Sequence, residues 1–172
     1  MAILILGLGN DLLGDDRIGL LAARALRDLL QGQEGIEIVE SEGSGLAPLD
    51  LMAGYERAIV IDAIQTGQVP PGTILEWTVR EPLPVRAPSP HATGLPELLA
   101  VARALRIPFP EEIRIYAVEV ADAYTFGGEI TPAVRQALPE LVRRIRNQLR
   151  AWQASPEGTQ GAALRSRGAK IR

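Results

Sequence analysis

The sequence contains no cysteine and a single histidine, His91. The first absence excludes disulfides, thiolate metal ligands and a cysteine nucleophile. It suits a cytoplasmic protein, which is the expectation here. The second restricts any metal site to carboxylates plus one imidazole, and a Ser-His-Asp triad would depend on that one residue. No apolar stretch reaches the length of a membrane span. Met1 leads directly into an apolar run, without a basic region and signal-like core, so no secretory leader is expected. There is no zincin helix motif and no internal repeat. Excess positive charge is also missing: the net charge is −3. Arg165, Arg167, Lys170 and Arg172 against Glu157 give the last twenty residues +3, which leaves −6 for the rest. An acidic body argues against a nucleic-acid partner.

What is present fits one globular domain. The 172 residues are 47% hydrophobic, enough for a real core. The expected organisation is a single α/β domain over residues 1–152 and a disordered basic tail over 153–172. The chain is organised around the stretch from Leu4 to Asp16. An apolar run, Ile3 to Leu6, is short enough for one buried strand. Gly7, Gly9 and Asn10 then mark a turn. Asp15 and Asp16 follow, at the head of a stretch with helical periodicity. In open α/β sheets, ligands bind outside the carboxyl ends of strands, where such turns lie.

A dinucleotide fingerprint is the first rival reading of this turn. Gly7 and Gly9 fit G-x-G-x-x-G, but position 12 is Leu12 and the next glycine is Gly14. Asp15 and Asp16 would also repel a phosphate. A cation site fits the charge better. The plain alternative is that both acids only stabilise the helix start, each by ~0.3–1 kcal/mol through the dipole.

Further along, Ile18, Leu21, Ala22, Ala25, Leu26 and Leu29 predict a helix from about Asp16 to Leu30. Gly19 inside it points to close packing against a strand or partner, since glycine there costs ~1 kcal/mol against alanine. Ile36 to Val39 predicts a second strand, followed by a glycine-rich loop from Glu40 to Gly45 and a short helix around Ala47 to Ala53. Ala58 to Ile61 predicts a third strand ending in Asp62. Continuous apolar runs separated by helices indicate a mainly parallel sheet covered on both faces. Asp62 therefore sits on the same edge as Asp16, as a second functional carboxylate or merely as the first residue of a turn.

Thr73 to Trp77 predicts another strand. The proline-rich segment from Glu81 to Pro90 delivers His91, and a helix is expected from about Thr93 or Gly94 through Ala104. A histidine before a helix N-terminus is biased toward the neutral, metal-binding form, although a lone loop histidine can also be simply exposed. Ile113 to Val118 predicts the last strand, with Glu119 after it. The following loop holds Tyr124, Phe126, Gly127 and Gly128, a combination suited to contacting a partner or to packing. Thr131-Pro132 reads as an N-cap and first helical residue. The stripe Leu138, Leu141, Val142, Ile145, Leu149 and Trp152 continues the helix, with a kink or restart expected at Pro139.

Together these residues resemble the hydrogenase maturation endopeptidases, which process the large subunit of nickel-containing hydrogenases. The resemblance covers about residues 2–150. It is carried by Gly7-Leu8-Gly9-Asn10 with Leu13, Asp15, Asp16 and Gly19; by Val60-Ile61-Asp62-Ala63 leading to Pro71-Gly72-Thr73; by His91 before its helix; and by Glu119 with Gly128 and Thr131-Pro132. It implies a three-layer α/β sandwich around a twisted, mostly parallel sheet. It also implies removal of a C-terminal peptide from the large-subunit precursor after nickel insertion. Asp16, Asp62 and His91 would be the catalytic and metal-contacting residues. The nickel would be carried by the substrate, with no permanently bound cofactor. Two carboxylates and an imidazole can hold a divalent metal while leaving coordination positions open. Such a metal could polarise the carbonyl or activate water, or an acid could act as general base. Two departures stand out. Arg17 replaces a residue that is small in many members, and Glu40-Ser41-Glu42-Gly43-Ser44-Gly45 keeps only the acid and last glycine of the usual loop. A non-proteolytic checkpoint or chaperone docking on the nickel site is the alternative of another class. A nucleotide-binding module is a third, disfavoured by the two aspartates.

Overall fold

The buried apolar runs become strands. In the computed structural model, which describes residues 1–43, 47–79, 102 and 104–154, β1 is Ile3–Leu8, β2 is Ile36–Ser41, β3 is Arg57–Ile64, β4 is Ile74–Val79 and β5 is Glu112–Glu119. Helix α1 spans Ile18–Leu29, α2 spans Ala47–Met52 and α3 spans Pro132–Ala154. A 3-10 turn at Asp15–Arg17 leads into α1. The strands form one sheet in the order β2-β1-β3-β5-β4. β1 pairs in parallel with β2 and β3, β3 pairs in parallel with β5, and β4 runs antiparallel to β5. The sheet is thus mostly parallel, as the sequence predicts.

Alternation along the strands divides the core in two. Ile3 and Ile5 of β1, with Ile59, Ile61 and Ala63 of β3, pack with α1 and α3. Leu4, Leu6 and Leu8, with Ala58 and Val60, pack with Met52 of α2 and with Ala102. Successive strand residues point to opposite faces, so a continuous apolar run serves both cores. Asp62 is in phase with Ala58 and Val60, and so belongs to the face opposite α1.

Several boundaries differ from expectation. β1 does not stop at Leu6 but continues through Gly7 and Leu8. β2 extends to Ser41, so Glu40 and Ser41 belong to a strand rather than a loop. Asp62 lies two residues inside the end of β3, opposite Ala117 of β5, and does not begin a turn. The helix predicted from Asp16 starts at Ile18. Leu29, predicted on its buried stripe, is 53% exposed, whereas Leu30 is buried. Leu30 follows Leu26 by four residues, which keeps it on the same face as the chain leaves the helix.

Pro139 neither ends nor restarts α3, which runs unbroken from Pro132 to Ala154. Val134 and Ala137 before it and Leu141, Val142, Ile145, Leu149 and Trp152 after it form one buried stripe. That shared packing outweighs the ~3 kcal/mol or more that an interior proline costs. The segment from Glu81 to Pro90, His91, nearly all of the helix expected after it and residues 155–172 lie outside the described residues. Among the described residues, no helix is long and apolar enough to cross a membrane.

Candidate active site

The strand order creates a crevice. The chain crosses from β1 to β2 on one side, then returns past β1 to β3 on the other. This reversal between β1 and β3 is a topological switch point, where open α/β sheets bind ligands beyond the carboxyl ends of the strands. The loop leaving β1 carries Asp15 and Asp16, and the last turn of pleat in β3 carries Asp62. Asp16 and Asp62 are both buried, at 1% and 0% exposure.

Two glycines let the acidic turn approach the sheet. A Cβ at Gly19 would lie 2.1 Å from the Leu8 carbonyl oxygen and 2.5 Å from that of Ile61. Only a hydrogen fits between α1 and the ends of β1 and β3 at that point. This accounts for a glycine inside a helix. Gly9, at φ 151°, faces the same turn from the other side, and a Cβ there would lie 2.2 Å from the Asp16 carbonyl oxygen. Asp16 precedes Gly19 by three residues and Asp62 follows Ile61 directly. The contact between Gly19 and Ile61 therefore holds the two acidic positions at one edge. The Asp62 Oδ1 accepts a hydrogen bond from the Ala63 N–H at 2.8 Å.

The adjacent aspartates have separate jobs. Asp15 accepts hydrogen bonds from the Thr131 N–H at 2.6 Å and the Thr131 hydroxyl at 2.9 Å, and so ties the turn to the start of α3. Thr131, expected to cap α3 with its hydroxyl, spends that hydroxyl on Asp15. Glu119, also buried, accepts from the Thr66 N–H and hydroxyl and from the Gly67 N–H, at 2.7–2.8 Å. It fixes the loop after β3. From its position after the last strand, Glu119 stands beside the site with no role legible in the sequence. The polar pair Thr66-Gly67 one loop away was the only available signal.

Other links brace the rim. The Leu12 carbonyl accepts from the Gly127 N–H at 2.8 Å, and Leu13 bridges Phe126 in antiparallel fashion. Arg17, the departure noted in the sequence, donates from Nη2 to the Gly128 carbonyl at 2.9 Å. Arg24 on α1 donates to Asp11 at 3.0 Å and to Glu40 at 2.8 Å, and Arg27 also reaches Glu40. The Arg24 hydrogen bond holds the Asp11 carboxyl below the usual carboxylate range. Glu40, the acid retained from the family loop, is thus engaged by two arginines.

The chemistry available at this edge is that of carboxylates. Buried carboxylates are costly unless they are hydrogen-bonded, paired or bound to metal. His91, the third predicted member of the set, lies outside the described residues. Among the described residues, no three His, Cys, Asp or Glu side chains are gathered to hold a metal ion. Asp16 and Asp62 could contribute two oxygen donors to a divalent ion whose remaining ligands come from elsewhere.

A family model described as hydrogenase maturation protease (HycI) matches residues 21–148. The hydrogenase expression/formation protein HupD of Rhizobium leguminosarum bv. viciae is 29% identical over 163 residues, covering 91% of this chain and 80% of that protein. The hydrogenase 2 maturation protease of Escherichia coli K12 is 31% identical over 150 residues, covering 82% of this chain and 91% of that one. In structure, the chain is similar to the hydrogenase maturating endopeptidase HybD from Escherichia coli, with a TM-score of 0.73 and 27% identity over 88% of this chain and 94% of HybD.

Proposed function

The chain belongs to the hydrogenase maturation protease family, and from that premise we propose that it removes the C-terminal peptide of a nickel-containing hydrogenase large-subunit precursor after nickel insertion. It is an enzyme, a peptide hydrolase of that family. The observation that carries the finer reading is the pair of buried acids, Asp16 and Asp62, at the switch-point edge. Nickel belongs to the substrate in this reading. Asp16, Asp62 and His91 are an incomplete shell, suited to contacting a metal that the precursor already holds and poorly suited to retaining one alone. Cytoplasmic processing is the corresponding location.

The roles of the residues follow from charge and position. Two carboxylates at the edge complement a cation presented by the partner and disfavour a phosphate. The metal supplies Lewis acidity at the scissile carbonyl or a bound water. A carboxylate beside it supplies a proton acceptor. The experiment incubates this protein with nickel-loaded and nickel-free precursor and follows release of the C-terminal peptide by mass spectrometry. Release from the loaded form alone is expected. Equal release from both removes nickel recognition, and no release from either removes the proteolytic reading. Asp16→Asn, Asp62→Asn and His91→Gln are each expected to cut release of the peptide by at least ~100-fold.

A further inference from the structure

Among the described residues, six large hydrophobic side chains are exposed: Met1, Leu12, Leu29, Leu105, Tyr124 and Phe126. Their placement is uneven. Met1 precedes β1, Leu29 ends α1 and Leu105 lies before β5, so these three stand singly at the end of the sheet away from the switch point. Leu12, Tyr124 and Phe126 stand at the other end, beside the acidic turn, at 58%, 65% and 73% exposure. The sequence has two phenylalanines in all, and one of them is displayed here.

The display is built rather than incidental. The two loops that carry these residues are joined by the Leu13–Phe126 bridge and by the Gly127 N–H to the Leu12 carbonyl. Arg17 holds Gly128, and Asp15 holds Thr131 at the loop's far end. Asp122 opens the loop by accepting from the N–H groups of Tyr124 and Thr125. Asn10 does the same for the Leu12 N–H at 2.9 Å. Backbone fixed at this many points keeps apolar side chains in water instead of folding them inward. Large apolar side chains held out in water on a rigid frame beside a site are placed to meet a partner.

We propose that Leu12, Tyr124 and Phe126 form the docking surface for the hydrogenase large-subunit precursor, through an apolar patch next to that protein's metal site. This rests on the proposed function. The occupant follows from continuity: Leu12 is four residues from Asp16, so whatever protein brings its metal to Asp16 and Asp62 also covers this rim. Apolar burial at the rim would supply affinity while the carboxylates read the metal, and so separates holding the partner from testing it.

The experiment measures the Kd of the purified nickel-loaded precursor for wild type, Leu12→Ser, Tyr124→Ser and Phe126→Ser, with Leu29→Ser and Leu105→Ser as controls. Melting temperatures show that each variant is folded. Phe126→Ser and Leu12→Ser should each weaken binding by about tenfold or more, as removal of a central apolar anchor does. Tyr124→Ser should weaken it in the same direction. The two controls should bind as wild type does. Because the contact is apolar, the wild-type Kd should change little between low and high salt. Wild type that binds and cuts the precursor, with all three loop variants binding equally tightly, overturns the docking surface alone. Wild type that does not bind the precursor overturns both this inference and the function it rests on.

Discussion

Replacing Gly19 by alanine tests the geometry of the site with a single methyl group. The new Cβ would lie 2.1 Å from the Leu8 carbonyl oxygen and 2.5 Å from that of Ile61, against the 3.0 Å that real Cβ atoms respect. Both neighbours are backbone, so no side chain can swing aside. α1 must retreat from the sheet by about 1 Å, or β1 and β3 must yield, in a core packed as densely as a crystal. Alanine gains ~1 kcal/mol in helix propensity, and overpacking costs ~1–3 kcal/mol. The net effect is a loss of up to roughly 2 kcal/mol, or about 4–8 °C in melting temperature for a chain of this size. Activity should fall further than stability. Asp16 lies one helical turn before Gly19 and moves with it, whereas Asp62 stays in β3. A misplacement of about 1 Å between catalytic groups costs ~100-fold in rate. The assays are urea unfolding and precursor cleavage at a temperature where both proteins are fully folded. A Gly19→Ala variant with wild-type stability and wild-type cleavage would refute the reasoning, since it would mean that α1 does not press on the strand ends.

Asp15→Ala should behave differently from Asp16→Asn although the residues are adjacent. It strands the Thr131 N–H and should cost roughly 2–3 kcal/mol, visible as a lower urea midpoint, because hydrogen bonds to a charged group are worth ~1.5–3 kcal/mol. Trp152→Ala should cost ~3–5 kcal/mol, visible as a lower urea midpoint, since Trp152 is 4% exposed and carries Arg57 over its ring. Tyr116, whose phenol is pushed up to about 12 by burial, should make the protein alkali-sensitive. The raised value means that its stabilising share is complete below pH 10, declines as the unfolded phenol ionises, and is gone above the folded value. Two pKa units correspond to ~3 kcal/mol. Urea midpoints should therefore drop between pH 10 and 12, and Tyr116→Phe should flatten that drop.

Most of the sheet was legible because the strands of a doubly covered sheet are unbroken apolar runs. The run from Ala58 to Ile61 and that from Ile113 to Val118 needed no other signal. The direction of β4 was not legible, since alternation says which face a residue takes and nothing about which way the strand runs. Gly7 was misread as a break. It is a strand residue without a side chain because α1 crosses there, and a one-dimensional pattern does not contain that crossing. Gly19 was read correctly for the complementary reason: a helix tolerates an interior glycine mainly where something presses on it. Asp62 reads from sequence as the end of its strand or the start of a turn, because an acid after an apolar run looks like its end, whereas β3 continues two residues past it. The division of labour between Asp15 and Asp16 could not be read at all. It depends on Thr131, which is 116 positions away in sequence.

These long-range ties have a consequence for how a protein substrate is handled. Among the described residues, the loops after β1, β3 and β5 are fastened to one another or to neighbouring strands and helices. Asp15 and Arg17 hold the loop after β5, Glu119 holds the loop after β3, and Arg24 holds Asp11 to the end of β2. The Glu119 backbone braces the far end of the loop after β3, just before β4, donating to the Thr73 carbonyl and accepting from the Gly72 N–H. Three loops, those after β1, β3 and β5, are thus ordered before any substrate arrives. Ordering a side chain at the moment of binding costs ~0.5–1.5 kcal/mol, so a braced edge would lower that cost for the proposed precursor. Under the proposed function, a braced edge would adapt poorly to a precursor whose metal is absent or displaced, because relaxation would have to break Asp15–Thr131 or Glu119–Thr66 first. Thr66→Val and Thr131→Val each remove one hydroxyl tie while leaving the carboxylates in place. If bracing underlies selectivity, these variants should cut nickel-free precursor relatively faster than wild type does. An unchanged ratio of cleavage between loaded and unloaded precursor, in variants with measurably softened loops, would show that discrimination resides in the metal contacts alone.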